Sequence, residues 1–175
     1  MTKEEIRSIS LSKLALTKEA IVFDVGAGTG SIGLECALQA VDGMVYAIEK
    51  KEDALALLAK NKQNLGVSNL EIVAGTAPEA LEALPAPTHA FIGGSSGNMK
   101  EIVELLLRKN KDVRIIINCI ALETVVEVMN LLKEKKFKHQ DIVHASIGKS
   151  KTLGNYHMMM GQNPVYIISL QGECQ

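Results

Sequence analysis

Strand-like and helix-like segments alternate along most of this chain, marking it as α/β: a doubly wound parallel sheet with helices on both faces. Three observations carry that expectation. Apolar runs near 20–25, 44–49, 70–74, 89–93 and 113–119 are separated by helical segments near 30–40, 51–65, 76–83, 98–109 and 122–135. The first strand ends in an acid and three alternating glycines, Asp24, Gly26, Gly28 and Gly30. After Lys136 the pattern changes, with strand-like runs at 137–149 and 164–170 and no helix between them. Two such strands should pair antiparallel, closing five parallel strands with a C-terminal hairpin.

The elements follow in order. Thr2 and Glu5 fit a capping box that opens a short helix running to about residue 14. The first strand feeds a glycine turn and a helix from Ser31, so bare backbone sits at the carboxyl end of a strand, where α/β sheets bind ligands. The next strand, 44–49, ends in Glu49, nineteen residues after Gly30. A ribose-binding carboxylate belongs at that spacing. Helix 51–65 carries Ala54, Leu57, Leu58 and Leu65 at helical spacing and stops at Gly66. The connection 150–163 is too polar and glycine-marked for a core element. No domain boundary or repeat is visible, and residues 1–175 are expected to form a single domain.

Bulk properties exclude several classes. With 175 residues and 47% apolar content, a packed core is expected. Aromatic residues are 3% and tryptophan is absent, so stacking platforms for exposed bases are scarce. The net charge of −1 offers no bulk attraction to nucleic acid. The charged amino terminus has no apolar leader and no run reaches membrane-span length, which points to a cytoplasmic protein. Cys36, Cys119 and Cys174 lack metal-ligand spacing, the four histidines are scattered, and no metal site is expected. Cys36 and Cys119 read as buried thiols.

The glycine spacing selects among nucleotides. The dinucleotide fingerprint G-x-G-x-x-G, started at Gly26, would need its third glycine where Ser31 stands. A nicotinamide cofactor is therefore disfavoured. The D-x-G-x-G-x-G pattern instead resembles motif I of the class I S-adenosylmethionine-dependent methyltransferases, which have a Rossmann-like fold. That cofactor carries a sulfonium, an amine and a carboxylate but no phosphate. Asp24 could meet the amine and Glu49 the ribose hydroxyls.

Across nearly its whole length the chain resembles the CbiT-type precorrin methyltransferases of cobalamin biosynthesis. The similarity is carried by residues 2–7 (Thr-Lys-Glu-Glu-Ile-Arg), 24–30, 46–50 (Tyr-Ala-Ile-Glu-Lys), 75–79 (Gly-Thr-Ala-Pro-Glu), 91–97 (Phe-Ile-Gly-Gly-Ser-Ser-Gly) and 163–165 (Asn-Pro-Val). The resemblance implies C-15 methylation of a reduced tetrapyrrole with loss of carbon dioxide from the ring C acetate. It implies S-adenosylmethionine as cofactor, a homo-oligomer, often a tetramer, and a separate or fused C-5 methyltransferase partner.

It also assigns residues. Gly26, Ala27, Gly28, Thr29 and Gly30 would surround the methionine part of the cofactor and Glu49 its ribose. Ala77 would offer backbone to the adenine, and Thr2 would close the pocket. Thr2 serves equally as a helix cap, and Ala77 as the start of a helix before Pro78. Thr76 stands where the family usually has Asp, and can still accept a hydrogen bond from the adenine amine. Gly93, Gly94, Ser95 and Gly97 would leave room for a bulky polycarboxylate; without the resemblance they read as a flexible loop. Asn118, at the end of the fifth strand, is the polar candidate near the acceptor, or a buried amide fixing the next turn. Arg7, Lys13, Lys149 and Lys151 are candidates for the substrate carboxylates, each also readable as surface charge. Two other readings stay open: a class I methyltransferase for a small molecule, protein or RNA, and a non-catalytic cofactor-binding subunit.

Overall fold

The computed structural model describes residues 2–173, and Cys174 lies outside them. Its centre is a seven-stranded sheet in the order β3-β2-β1-β4-β5-β9-β6. The strands are β1 (Ile21–Val25), β2 (Met44–Glu49), β3 (Leu70–Ala74), β4 (His89–Ile92), β5 (Arg114–Cys119), β6 (Phe137–Ala145) and β9 (Val165–Glu173). The first five pair in parallel as expected. β9 pairs antiparallel with both β5 and β6. The last two strands are thus antiparallel to each other, and β9 is inserted beside β5. Chain reversal between β1 and β4 leaves a crevice at the carboxyl ends of the strands, where strand order changes direction.

Both faces of the sheet are covered, so its strands read as apolar runs. Ile115 and Ile117 of β5 face a core formed with α4 (Met99–Lys109) and α5 (Leu122–Glu134). Ile116 faces the other way, with α1 (Glu4–Leu14), α2 (Ser31–Gln39) and Leu58 of α3 (Glu52–Leu65). This period of two sorts each strand's side chains between two apolar layers. On α1, Ile6, Ser10, Leu11 and Leu14 are buried at helical spacing. Glu4 and Glu5 in its first turn and Lys13 in its last complement the helix dipole. Among the described residues, no helix is long and apolar enough to cross a membrane.

Three expectations need correction. Residues 76–83 form no α-helix; a 3-10 turn covers Glu79–Leu81, with Leu81 N donating to Pro78 O at 2.8 Å. Pro78 removes a backbone donor inside the segment, Pro85 stops any helix just after it, and Leu81 is its fully buried anchor. Thr2 does not cap α1: Lys3 is the N-cap, without a side-chain cap bond. The expected single strand at 137–149 breaks after Ala145. The polar stretch beyond it folds as a separate antiparallel hairpin of β7 (Gly148–Leu153) and β8 (Tyr156–Gly161), exposed throughout. Such a hairpin adds nothing to the core, which is why core-directed reading left it as a loop.

Gly43, between α2 and β2, was not singled out by pattern. A Cβ there would lie 2.1 Å from the carbonyl oxygen of Ala20. Backbone cannot yield as a side chain can, so Gly43→Ala should cost about 2 kcal/mol or more. Gly66→Ala meets nothing within 4 Å and pays only for a φ of 64°, about 1 kcal/mol. Urea midpoints of the two variants test this; equal losses would mean that the Ala20 contact is not tight.

Candidate functional site

Two cavities open at the carboxyl ends of the parallel strands and share a wall. The smaller, about 360 Å³, runs over Gly26 and Gly28 to Glu49, Thr76 and Ala77. The larger, about 630 Å³, lies between the amino end of α1, the end of β5, the start of α5 and the end of the exposed hairpin. Gly94, Ser95 and Ser96 line both. Both volumes fall in the range of small-molecule sites.

The shared wall exists because two glycine loops pack backbone against backbone. Gly26, at φ 74°, would place a Cβ 2.9 Å from Gly94 N and O. Gly26 N and Ala27 N both donate to Ile48 O at 3.0 Å, and Gly93 N donates to Val25 O at 3.0 Å. Gly28 differs. At φ 57° its Cβ would meet nothing within 4 Å, so its bare α-carbon borders open crevice. That empty side is a cradle for a ligand lying against backbone. Gly30 serves packing, since a Cβ there would strike Leu58 Cδ1 at 2.1 Å.

The two strand-end acids have different fates. Glu49 reaches the crevice, its Oε2 accepting from Gly28 N at 2.8 Å and its Oε1 from Lys50 N and Lys51 N at 2.9 Å. Burial alone would raise its pKa, but the three N–H bonds and the Lys51 charge hold it below the usual carboxylate range. It is an anion at any physiological pH. Oε2 accepts one N–H and so keeps a lone pair for a hydroxyl. Asp24 is 1% exposed and lines neither cavity. Its Oδ2 accepts from Gly33 N at 2.8 Å, behind the loop. Burial, with the nearby Glu49 charge, outweighs that bond and pushes its pKa up to about 7. Asp24 thus orders the start of α2 from beneath the loop.

Of the other expected cofactor contacts, Gly26, Gly28, Thr76 and Ala77 line the crevice. Ala27 is buried, the Thr29 carbonyl accepts from Asn61 Nδ2 at 3.0 Å, and Gly30 packs on Leu58. Thr2 lines the larger chamber instead of the crevice. Lys50, Lys51 and Ala54 were missed; they follow β2 and wrap the crevice from α3.

The chamber receives Gly93, Gly94, Ser95, Gly97 and Asn118, as expected. Asn118 Nδ2 donates to Ser10 Oγ at 2.9 Å, so α1 fixes its amide facing the chamber. Asn98 Nδ2 donates to Ala77 O at 3.0 Å, tying the glycine loop to the crevice turn. The candidate cations fare worse. Lys149 pairs with Glu5, Lys13 with Asp141 and Arg7 with Glu35, and Lys151 sits exposed on β7; none lines the chamber. Lys3, Cys119, Thr124, Glu127 and Gln162 do line it and were not foreseen. The Cys119 thiol is pushed up to about 11 by burial, with the Glu127 charge adding.

Comparison with known proteins agrees in kind. A family profile described as "Precorrin methyltransferase domain" matches residues 1–171. A relative from Saccharolobus solfataricus named "Probable cobalt-precorrin-6B C(15)-methyltransferase (decarboxylating)" is 39% identical over 176 residues, covering 97% of this chain and 87% of the relative. A relative of the same name from Sulfurisphaera tokodaii is 37% identical over 174 residues, covering 96% and 88%. Among solved structures, a precorrin-6y C5,15-methyltransferase from Geobacter metallireducens superposes with a TM-score of 0.92 at 31% identity, covering 98% of this chain and 90% of that one. A precorrin 8W decarboxylase from Methanobacterium thermoautotrophicum gives 0.89 at 33% identity, covering 97% and 91%.

The state of Asp24 sets a pH dependence. Its pKa rises from 3.8 to about 7 on folding. Between those values the folded protein holds a proton that the unfolded chain has released, so this residue's contribution to stability falls as pH rises. Asp24→Asn should remove a slope worth on the order of 4 kcal/mol across that window. Urea unfolding of both proteins near pH 5 and near pH 8 checks it; parallel pH profiles would place the carboxyl in water.

Proposed function

The chain belongs to the precorrin methyltransferase family, and we propose that it methylates C-15 of a cobalt-precorrin-6B-type macrocycle and removes carbon dioxide from its ring C acetate, a step of cobalamin biosynthesis. The observation that carries this reading is the pair of cavities meeting at Gly94–Ser96: a crevice of about 360 Å³ over Gly28 and Glu49 beside a chamber of about 630 Å³. S-adenosylmethionine, when bound, supplies a methyl group already carried on a good leaving group.

The chain's own residues then have modest tasks. Glu49 offers its remaining Oε2 lone pair to ribose hydroxyls, and Gly28 lets the ligand lie against backbone. Thr76 and Ala77 border the base. The loop from Gly93 to Gly97 leaves the acceptor side free of bulk. Asn118, locked by Ser10, presents a fixed amide to the macrocycle. Alignment and exclusion of water supply most of the acceleration. An electron-rich meso carbon needs no base to attack a methyl group.

The rest of the reading concerns company. Hairpin β7–β8 exposes Leu153, Tyr156, Met158, Met159 and Met160, the tyrosine by 76%. An exposed apolar strand edge of that kind favours pairing with another chain. We read it as the contact of a homo-oligomer, a tetramer by the family resemblance. The C5,15 names of solved neighbours support a C-5 methyltransferase working alongside.

Two experiments test this. Incubation with labelled S-adenosylmethionine and a C-5-methylated precorrin should give a product with one methyl gained and one carbon dioxide lost by mass spectrometry. Glu49→Ala should weaken cofactor binding at least tenfold, roughly the worth of one charged hydrogen bond. No methyl transfer from the wild type would reject the function; unchanged affinity would remove Glu49 from the ribose site. Separately, Met159→Lys should lower the mass seen by light scattering, and an unaltered oligomer would clear the hairpin of that role.

A further inference from the structure

A carboxylate on the wall of a chamber that takes a polyanion needs a reason. Glu127, on the second turn of α5, lines that chamber together with Thr124, exposed to solvent until a ligand covers it. Among the described residues it has neither an ion-pair nor a hydrogen-bond partner, whereas Glu134 on the same helix pairs with Lys100. The cation on the chamber wall, among the described residues, is Lys3 at the N-cap of α1. The wall therefore carries one charge of each sign, supplied by different helices. Much of the remaining lining is apolar, with Ile92, Met99, Cys119 and Val165 almost fully buried. A macrocycle filling this space would displace water and weaken the screening of Glu127.

We infer that Glu127 faces the substrate carboxylate that is lost, disfavouring its charge until it leaves as carbon dioxide, while Lys3 holds a carboxylate that stays. The inference rests on the methylation-with-decarboxylation reading above. In the step itself, the bond between the acetate methylene and its carboxyl carbon breaks. Carbon dioxide departs with both oxygens. The bonding pair stays with the methylene carbon and passes into the conjugated ring, neutralising the positive charge that the incoming methyl group brought. The methylene then takes up a proton from water and the macrocycle returns one. No oxidant or reductant takes part. Two carboxylates in contact repel strongly once water is scarce, and losing one as a neutral gas relieves that repulsion.

The test separates this from the parent reading. Cobalt-precorrin-6B is titrated against wild type, Glu127→Gln, Glu127→Asp and Lys3→Gln without the methyl donor, and products are then analysed by mass with the donor present. Glu127→Gln should bind the substrate on the order of tenfold more tightly, because the repulsion is gone. It should release product that has gained the methyl group but kept the carboxyl. Glu127→Asp should restore decarboxylation, and Lys3→Gln should weaken binding about tenfold. The inference is overturned if Glu127→Gln binds no more tightly, if its products match the wild type's, or if methyl gain and carbon dioxide loss fall together. If the wild type itself gains no methyl group, the functional reading fails first and this one with it.

Discussion

The contact between Gly26 and Gly94 organises everything at the carboxyl edge of the sheet. Two loops from neighbouring strands, β1 and β4, meet with no side chain between them, at distances that leave no space for a Cβ. This contact keeps the crevice and the chamber separate yet adjoining, so a ligand in one can reach a ligand in the other across a single layer of backbone. A side chain at Gly26 would push the β4 loop into the chamber, whereas a Cβ at Gly94 would meet nothing within 4 Å. The hydrogen bonds from Gly26 and Ala27 to Ile48, and from Gly93 to Val25, continue the sheet's own ladder into these loops. The wall between the cavities is thus as rigid as the strands that feed it.

The same rigid edge explains why two acids of similar sequence context behave so differently. Asp24 lies within β1, one residue before its end, and points down among α2 atoms. Glu49 is the last residue of β2 and points up into backbone N–H groups. Asp24 pairs in register with Ala47, two residues before Glu49, and that step toward the strand end separates burial without a counter-charge from a carboxylate held by three donors. The first has to hold its proton near neutrality; the second cannot. A short motif fixes residue types but not which side of the loop each one faces. That is why the motif alone does not tell which of the two acids borders the crevice.

Much of the fold was legible because buried parallel strands leave an unambiguous trace. The runs ending in Val25, Glu49, Ala74, Ile92 and Cys119 are apolar, short and bounded by turn residues, and each lies within a residue of its observed limits. The crevice was legible for the same reason: Gly26, Gly28 and Glu49 sit at strand ends whose positions were known. The chamber was harder to read. Its wall is built from α1, β5, α5 and the hairpin, which are far apart in sequence and converge only through the sheet order. No spacing rule links Lys3 to Glu127. Charge alone does not show which cation is already paired; Lys13 and Asp141 meet only when α1 lies against the end strands.

A chamber so poor in charge constrains how its chemistry can work. A site that neutralised every substrate carboxylate would need several cations facing inward, and such a site would stabilise the very group that has to be lost. With Arg7, Lys13 and Lys149 held in ion pairs outside it, the chamber offers a polyanion mainly shape, amides and apolar contact. Affinity is then lower than charge pairing would give, but binding discriminates between carboxylates by where each one lies. In the proposed reaction, loss of carbon dioxide at a single position of a ring bearing many similar arms would depend on where this wall, which the glycine contact shapes, holds that arm.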